Sequence, residues 1–148
     1  MAQPITKYNN FILRQFNGSS IAFGTDVLKV MLTTSSYTPT VATDIFKSSV
    51  TNEVTGTNYT ARGAVLTLTS VTQTGGTLTV LANSIDWAQS ASGFSNARYA
   101  VIYKDTGTDS TSPLMGYIDL GGSVGNITGD LILNWNSTLT NGTLFTAS

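Results

Sequence analysis

Cysteine and histidine are both absent from this chain of 148 residues. Without cysteine there can be no disulfide bond, no thiolate nucleophile and no cysteine-ligated zinc site. Without histidine the chain also lacks the most common general base and metal ligand of proteins. Because these absences remove many classes of active site, the sequence predicts a protein that is not an enzyme and that needs no cofactor or metal.

Charged residues are also scarce, at 10% of the chain, against roughly 25% in an average soluble domain. The 7 basic and 8 acidic residues leave a net charge of −1, so few cations are available to neutralise phosphates. We therefore expect no nucleic-acid partner. A surface with little electrostatic self-repulsion suits a protein that functions in an assembly.

Long apolar runs are missing as well. No stretch approaches the roughly 18 consecutive apolar residues that a membrane-spanning helix needs. The N-terminus lacks the basic region and apolar run of a signal peptide. From the sequence we expect neither a membrane partner nor export through a signal peptide.

Polar uncharged residues take the place of the missing charges. The chain contains 25 Thr, 16 Ser, 11 Asn and 14 Gly, a composition that favours strands and turns over charged helical surfaces. The length is typical of one domain with one core. We therefore predict a single all-β domain over residues 1–148, with a strand-rich part over 25–148.

One helix is predicted near the N-terminus, over about 4–17. Its apolar residues recur at spacings of three and four, and Gly18 follows as a stop signal: Ile5, Tyr8, Ile12 and Phe16. Such a helix could cover one edge of the core, or it could dock onto a partner. The sequence leaves both interpretations open.

Alternation of apolar and polar residues predicts strands from residue 26 onward. The predicted strands are 26–34, 64–72, 77–82, 85–88, 98–104, 114–120 and 130–136, with a short one near Leu144 and Phe145. Gly75 and Gly76 provide the tight reversal of a hairpin. This pattern predicts an antiparallel β-sandwich, jelly-roll or immunoglobulin-like, or a barrel. Its predicted core includes Leu28, Val30, Leu32, Leu66, Leu68, Val101, Ile118, Leu131 and Leu133.

The segment 35–63 is a long connection without a clear strand pattern. Connections of that length are uncommon in compact domains and often bind something. Because aromatic residues are enriched at interface hot spots, we take as interface candidates five aromatic residues, two from this segment and three from the helix. They are Tyr8, Phe11, Phe16, Tyr37 and Tyr59.

Carboxylates could in principle form a catalytic or metal site. Two acids suffice for a glycosidase, and the candidate pairs are Asp105 with Asp109, and Asp119 with Asp130. The segment 105–109 offers too few oxygens for a calcium loop. We interpret these aspartates as turn residues, and the glycine-rich segment 121–125 as a turn between two strands.

Four aromatic residues within the strands could stack on sugars or fill the core: Trp87, Tyr99, Tyr103 and Trp135. Residues inside alternating apolar runs are more often buried than exposed. We therefore predict that these four residues belong to the core.

Several segments, in order along the chain, resemble the recurring segments of a family of small structural proteins of tailed bacteriophages, which includes capsid decoration (cement) proteins. They are 25–39 (TDVLKVMLTTSSYTP), 50–60 (VTNEVTGTNYT), 100–108 (AVIYKDTGT) followed by 111–114 (TSPL), and 129–135 (GDLILNW). Together with the N-terminal helix, the resemblance covers most of the chain.

The resemblance implies a virion protein on the capsid exterior that binds the major capsid protein and stabilises the shell. Decoration proteins commonly occupy threefold positions, so it also implies a homotrimer. It implies no active-site residues. Two other readings stay open: a phage tail or receptor- or carbohydrate-binding β-sandwich module, and a glycosidase built on two aspartates.

Overall fold

The computed structural model describes residues 2–3, 5–18, 20–135 and 141–147. In this part of the chain the helix is α1 (Asn9–Phe16), with single 3-10 turns at Lys47–Ser49 and Asp109–Thr111. The strands are β1 (Ala2–Gln3), β2 (Thr6–Lys7), β3 (Leu28–Thr33), β4 (Ala64–Leu66), β5 (Leu68–Thr74), β6 (Thr77–Asn83), β7 (Ile85–Trp87), β8 (Ala97–Lys104), β9 (Leu114–Val124), β10 (Leu131–Trp135) and β11 (Asn141–Ala147).

The strands form three open sheets. The largest has the order β2-β9-β8-β3-β4 and is antiparallel throughout. The two smaller sheets have the orders β11-β6-β5 and β1-β10-β7, and the pairing of β1 with β10 is parallel. The predicted all-β, sandwich-like class is confirmed, and none of the described sheets closes into a barrel.

The main core lies between the five-stranded sheet and the two smaller ones. Because side chains alternate along a strand, Leu28, Val30 and Leu32 of β3 point to this side, where they join Trp87 of β7 and Trp135 of β10. Eight of the nine predicted core residues are buried, and Leu68 is half-buried. The predicted core is therefore confirmed, with Leu68 at its margin.

Part of the segment 34–63 covers the opposite face of the same sheet, whereas Val54 and Tyr59 of the segment pack with the main core. Met31 and Val101 point to that face and form a second cluster with Tyr37 and Val50 of the covering segment. The segment is joined to β3 where the Val54 N–H donates to the Leu32 carbonyl at 3.0 Å. Its length is therefore explained by a structural role, because it seals a sheet that is apolar on both faces.

Two predicted elements are wrong in their extent. The strand predicted over 64–72 is divided at Thr67, because β4 pairs with β3 in the large sheet and β5 pairs with β6 in a small one. The segment 121–125 is not a simple turn, since β9 continues to Val124 through a large bulge between the pairs Tyr99 with Asp119 and Ala97 with Val124.

The predicted hairpin is confirmed. The turn between β5 and β6 is made by Gly75 and Gly76, both with positive φ, as a two-residue turn of this type requires. The remaining strands match their predicted positions closely. Residue 136, which the prediction includes in the strand ending at Trp135, lies outside the described residues.

The helix is shorter than predicted. Residues Thr6–Lys7 form β2, which pairs with β9, so α1 begins only at Asn9, and Pro4 lies outside the described residues. The helix ends at Phe16 before Gly18, whose φ is positive, as expected of a helix stop. No helix in the described ranges is long and apolar enough to span a membrane.

Candidate docking groove

Two of the five interface candidates form an internal hydrogen-bond chain. Tyr8 is fully buried, and its hydroxyl lies 3.0 Å from the hydroxyl of Tyr37. The Tyr37 hydroxyl donates to Asp44 Oδ2 at 2.7 Å. Burial raises the pKa of both phenols well above the ordinary value of a tyrosine. Both side chains hold segment 34–63 against the sheet, and neither is exposed to a partner.

Tyr59 also acts inside the fold. Its hydroxyl accepts a hydrogen bond from the Leu32 backbone N–H at 3.0 Å and donates to Glu53 Oε1 at 2.7 Å. Its ring packs edge-on against Phe94, with a centroid distance of 5.7 Å. Burial raises the pKa of this phenol as well. The half-buried Tyr59 therefore anchors the covering segment to β3.

Phe11 is the buried residue of α1. Its ring meets Phe23 and Phe145 edge-on, at centroid distances of 6.3 and 5.9 Å, and those two rings lie 5.5 Å apart. Edge-on packing of this kind adds to the free energy gained by burial. Phe11 is thus a core residue that ties the helix to β11, and the idea that it is free to contact a partner is corrected.

Phe16 is the one interface candidate that the structure leaves exposed, with 86% of its surface accessible. Ile12 lies one helical turn earlier and is 45% exposed, so the two form an apolar ridge along α1. The predicted helix stripe of residues 5, 8, 12 and 16 is therefore only partly correct. Its first half faces the interior, and its second half faces outward.

Below this ridge lies an open groove of about 600 Å³, which we call the α1 groove. The aromatic cluster of Phe11, Phe23 and Phe145 forms its floor. Its full lining is Lys7, Phe11, Ile12, Gln15, Phe16, Phe23, Leu78, Phe145, Thr146 and Ala147. Exposed apolar surface of this kind, with polar residues at its rim, is typical of an interaction site.

Tertiary contacts hold α1 in place, because eight residues without a side-chain N-cap are too few for a stable isolated helix. The Gln15 side chain accepts from the Ile21 N–H at 2.8 Å and donates to the Ile21 carbonyl at 3.4 Å. On the opposite side, the Arg14 guanidinium lies 4.7 Å from the centroid of the Phe46 ring. The ridge is therefore presented by a fixed helix.

Among the described residues that line the α1 groove, Lys7 is the only charged one. Its ammonium lies 5.5 Å from the Phe145 ring centroid and 3.5 Å from the Thr146 carbonyl oxygen. Comparisons with protein-family models, curated proteins and solved structures give no match for this chain. The described side chains of the groove offer an apolar floor, one cation and no carboxylate.

The candidate pair Asp105 and Asp109 forms part of an ion-pair network. Arg62 binds both carboxylates, at 2.5 Å to Asp105, while Lys29 binds Asp105 at 2.8 Å and Lys47 binds Asp109 at 3.1 Å. Partial burial alone would raise the pKa of Asp105, but the hydrogen bonds from Lys29 and Arg62 outweigh it and hold that pKa well below its usual range. A glycosidase acid needs the opposite shift.

The second candidate pair is not joined in a shared site. Asp119 binds Arg98 at 2.8 Å, and this hydrogen bond lowers the pKa of its carboxyl. Asp130 accepts from the Gln89 backbone N–H at 2.7 Å. Each carboxylate has its own structural partner, and the described residues contain no cluster of three or more acids that could hold a metal ion.

The strand aromatics are mostly core residues, as predicted. Trp87, Trp135 and Tyr103 are buried, whereas Tyr99 is half-buried. The Trp135 indole N–H donates to the Asn83 carbonyl at 2.6 Å. The three buried rings cannot stack on a sugar without unfolding part of the sheet.

Asn126 is a structural residue that the sequence does not reveal. It is fully buried, and its side-chain oxygen accepts from the Phe94 N–H at 2.9 Å. Its amide group donates to the carbonyls of Thr57 at 3.2 Å and Ala88 at 2.8 Å. In the sequence Asn126 is one of eleven asparagines, and no periodic pattern distinguishes it.

Proposed function

We propose that this protein is a structural component of a tailed-phage virion that binds the outer surface of the capsid shell, with the α1 groove and its ridge against the shell protein. The observation that supports this assignment is the exposed Phe16 beside an apolar groove, on a surface that otherwise carries few charges. The resemblance of the strand segments to phage structural proteins supplies the class of partner.

Binding alone would stabilise the capsid shell. A protein that binds the assembled shell and not its separated subunits shifts the equilibrium toward the shell by mass action. Phe16 is suited to act as the anchor, because a large aromatic side chain that becomes desolvated at the centre of an interface commonly carries much of the binding energy. The aromatic floor of the groove would receive an apolar side chain of the shell protein in return.

The test is to mix the purified protein with undecorated capsids and to image the particles. We expect ordered density at regular lattice positions on the capsid exterior. Density on tails instead would keep a virion role and overturn the capsid assignment. The absence of ordered density on both would overturn the proposed function.

A matched pair of variants tests the surface itself. Phe16→Ser removes the anchor, and Leu13→Ser removes a similarly exposed apolar side chain of α1 that does not line the groove. We expect Phe16→Ser to weaken capsid binding by about 2 kcal/mol or more, which is about 30-fold in the dissociation constant. Leu13→Ser should bind normally, and both variants should unfold like the wild type. Binding of Phe16→Ser as tight as that of the wild type would exclude the α1 groove as the docking surface.

A further inference from the structure

The outer strand of one small sheet has an open edge. β5 pairs with β6 on one side, and the described residues provide no strand on its other side. The half of β5 nearest the hairpin turn, Val71 to Thr74, is exposed. An edge strand of this kind presents backbone N–H and C=O groups to which another strand can add.

The register of the hairpin shows which backbone groups face outward. Thr74 and Thr77 close the two-residue turn and Thr72 faces Thr79, so these pairs exchange hydrogen bonds across the hairpin. The intervening residues Val71 and Gln73 then direct their N–H and C=O groups away from β6. None of these four backbone groups has a hydrogen-bond partner in the described part of the protein.

The half of β5 nearest the hairpin turn lacks the charges and proline by which proteins often prevent edge pairing, and the one register shift of β5 lies farther from the turn, between Leu68 and Ser70. Residues 63–85 contain no charged residue and no proline, whereas exposed edges are commonly protected by lysine, inward-pointing charge or proline. The opposite edge of the same sheet differs, because the Lys7 ammonium lies 3.5 Å from the Thr146 carbonyl of β11. One edge is thus occupied by a cation, and the other is left unprotected.

We propose that β5 pairs antiparallel with β5 of a second copy of this chain. The β11-β6-β5 sheets of the two copies then form one continuous six-stranded sheet in a two-fold dimer. In a two-fold interface the same surface meets itself, so any charge on it would face its own copy, and an uncharged strand avoids that repulsion. Threonine side chains opposite one another also form favourable cross-strand pairs. The proposal does not depend on capsid binding, and it is an alternative to the homotrimer that the resemblance implies.

Sedimentation equilibrium of the purified full chain tests this pairing. We expect a species close to twice the chain mass of 15.6 kDa. Val71→Lys places two like charges in the interface and should weaken dimerisation by about 10-fold or more. The control is Val27→Lys, which changes another exposed valine, outside the sheets, and should dimerise like the wild type.

Amide hydrogen exchange gives a second readout that does not rely on a variant. Exchange at Val71 and Gln73 should slow as the protein concentration rises, because both amides gain a partner only in the dimer. A monomer at all concentrations, a trimeric mass, or unchanged dimerisation of Val71→Lys would each overturn the proposal. A monomer whose Val71→Lys variant loses capsid binding would assign the edge to the shell protein instead.

Discussion

Replacing Asn126 by alanine should strongly destabilise the fold. The change removes three hydrogen bonds made by one fully buried side chain. The Ala88 carbonyl keeps a second donor, the Asn58 amide at 3.0 Å. Neither the Phe94 N–H nor the Thr57 carbonyl has another described partner. Thr57 is an exposed residue whereas Phe94 is buried, so the substitution leaves one buried group, the Phe94 N–H, unsatisfied.

The expected magnitude follows from that buried N–H. An unsatisfied buried donor costs about 1 to 3 kcal/mol, so Asn126→Ala should lower the free energy of unfolding by about 1 to 3 kcal/mol. Urea unfolding followed by tryptophan fluorescence measures it, since Trp87 and Trp135 are both buried. The control is Asn10→Ala, because the partly exposed Asn10 accepts one bond from Arg14 and should change stability by less than about 0.5 kcal/mol.

Asn126→Asp sharpens the test. The carboxylate is nearly the same shape, but it would place negative charge against the Thr57 and Ala88 carbonyls, so burial and repulsion raise its folded pKa above the unfolded value of about 3.9. The loss of stability should therefore be smallest below about pH 4 and should grow as the pH rises through the folded pKa. A loss below about 0.5 kcal/mol for Asn126→Ala, or a pH-independent loss for Asn126→Asp, would refute this account of the buried amide.

Three further predictions concern the core and the ion-pair network. Phe11→Ala should destabilise by about 3 to 5 kcal/mol, since it opens a cavity among packed aromatic rings, and a change within error in thermal unfolding would show that the helix is not docked. Leu32→Ala should lower the free energy of unfolding measured in urea by about 2 to 5 kcal/mol. A negligible change would contradict the position of β3 in the core. Lys29 and Arg62 lower the folded pKa of Asp105. The contribution of the Asp105 carboxylate to the free energy of unfolding should therefore be complete above about pH 4 and should fall as the pH drops toward that depressed pKa. Asp105→Asn should flatten this dependence of stability on pH. An unaltered profile would contradict the role of the network.

Local signals explain the parts of the fold that were predictable. Gly75 and Gly76 form the turn that their backbone freedom favours, and the hairpin pairs on either side of them. In contrast, no local signal reveals the division at Thr67, because alternation continues through it from β4 into β5. Which sheet each half joins depends on distant partners: β3 for one half and β6 for the other.

The candidate site was harder to predict for a related reason. Tyr37 and Tyr59 lie in a segment without periodicity, so their burial depends on the sheet face beneath them. The clue lay in β3, where Met31 and Leu32 are consecutive apolar residues and hence face opposite sides, which indicates a strand covered on both faces. Phe16 has the spacing of a residue on the buried side of the helix, yet it is exposed, because the core extends along α1 only as far as Phe11.

The contacts of the N-terminal segment have a consequence for synthesis of the protein on the ribosome. β2 pairs with β9, β1 pairs with β10, and Phe11 packs against Phe145, so these elements are translated well before the partners on which they pack. A nascent chain that lacks those partners exposes Phe11 and Phe23 to solvent and to chaperones. The segment that contains β1, β2 and α1 can therefore dock fully only after β9, β10 and β11 have been translated.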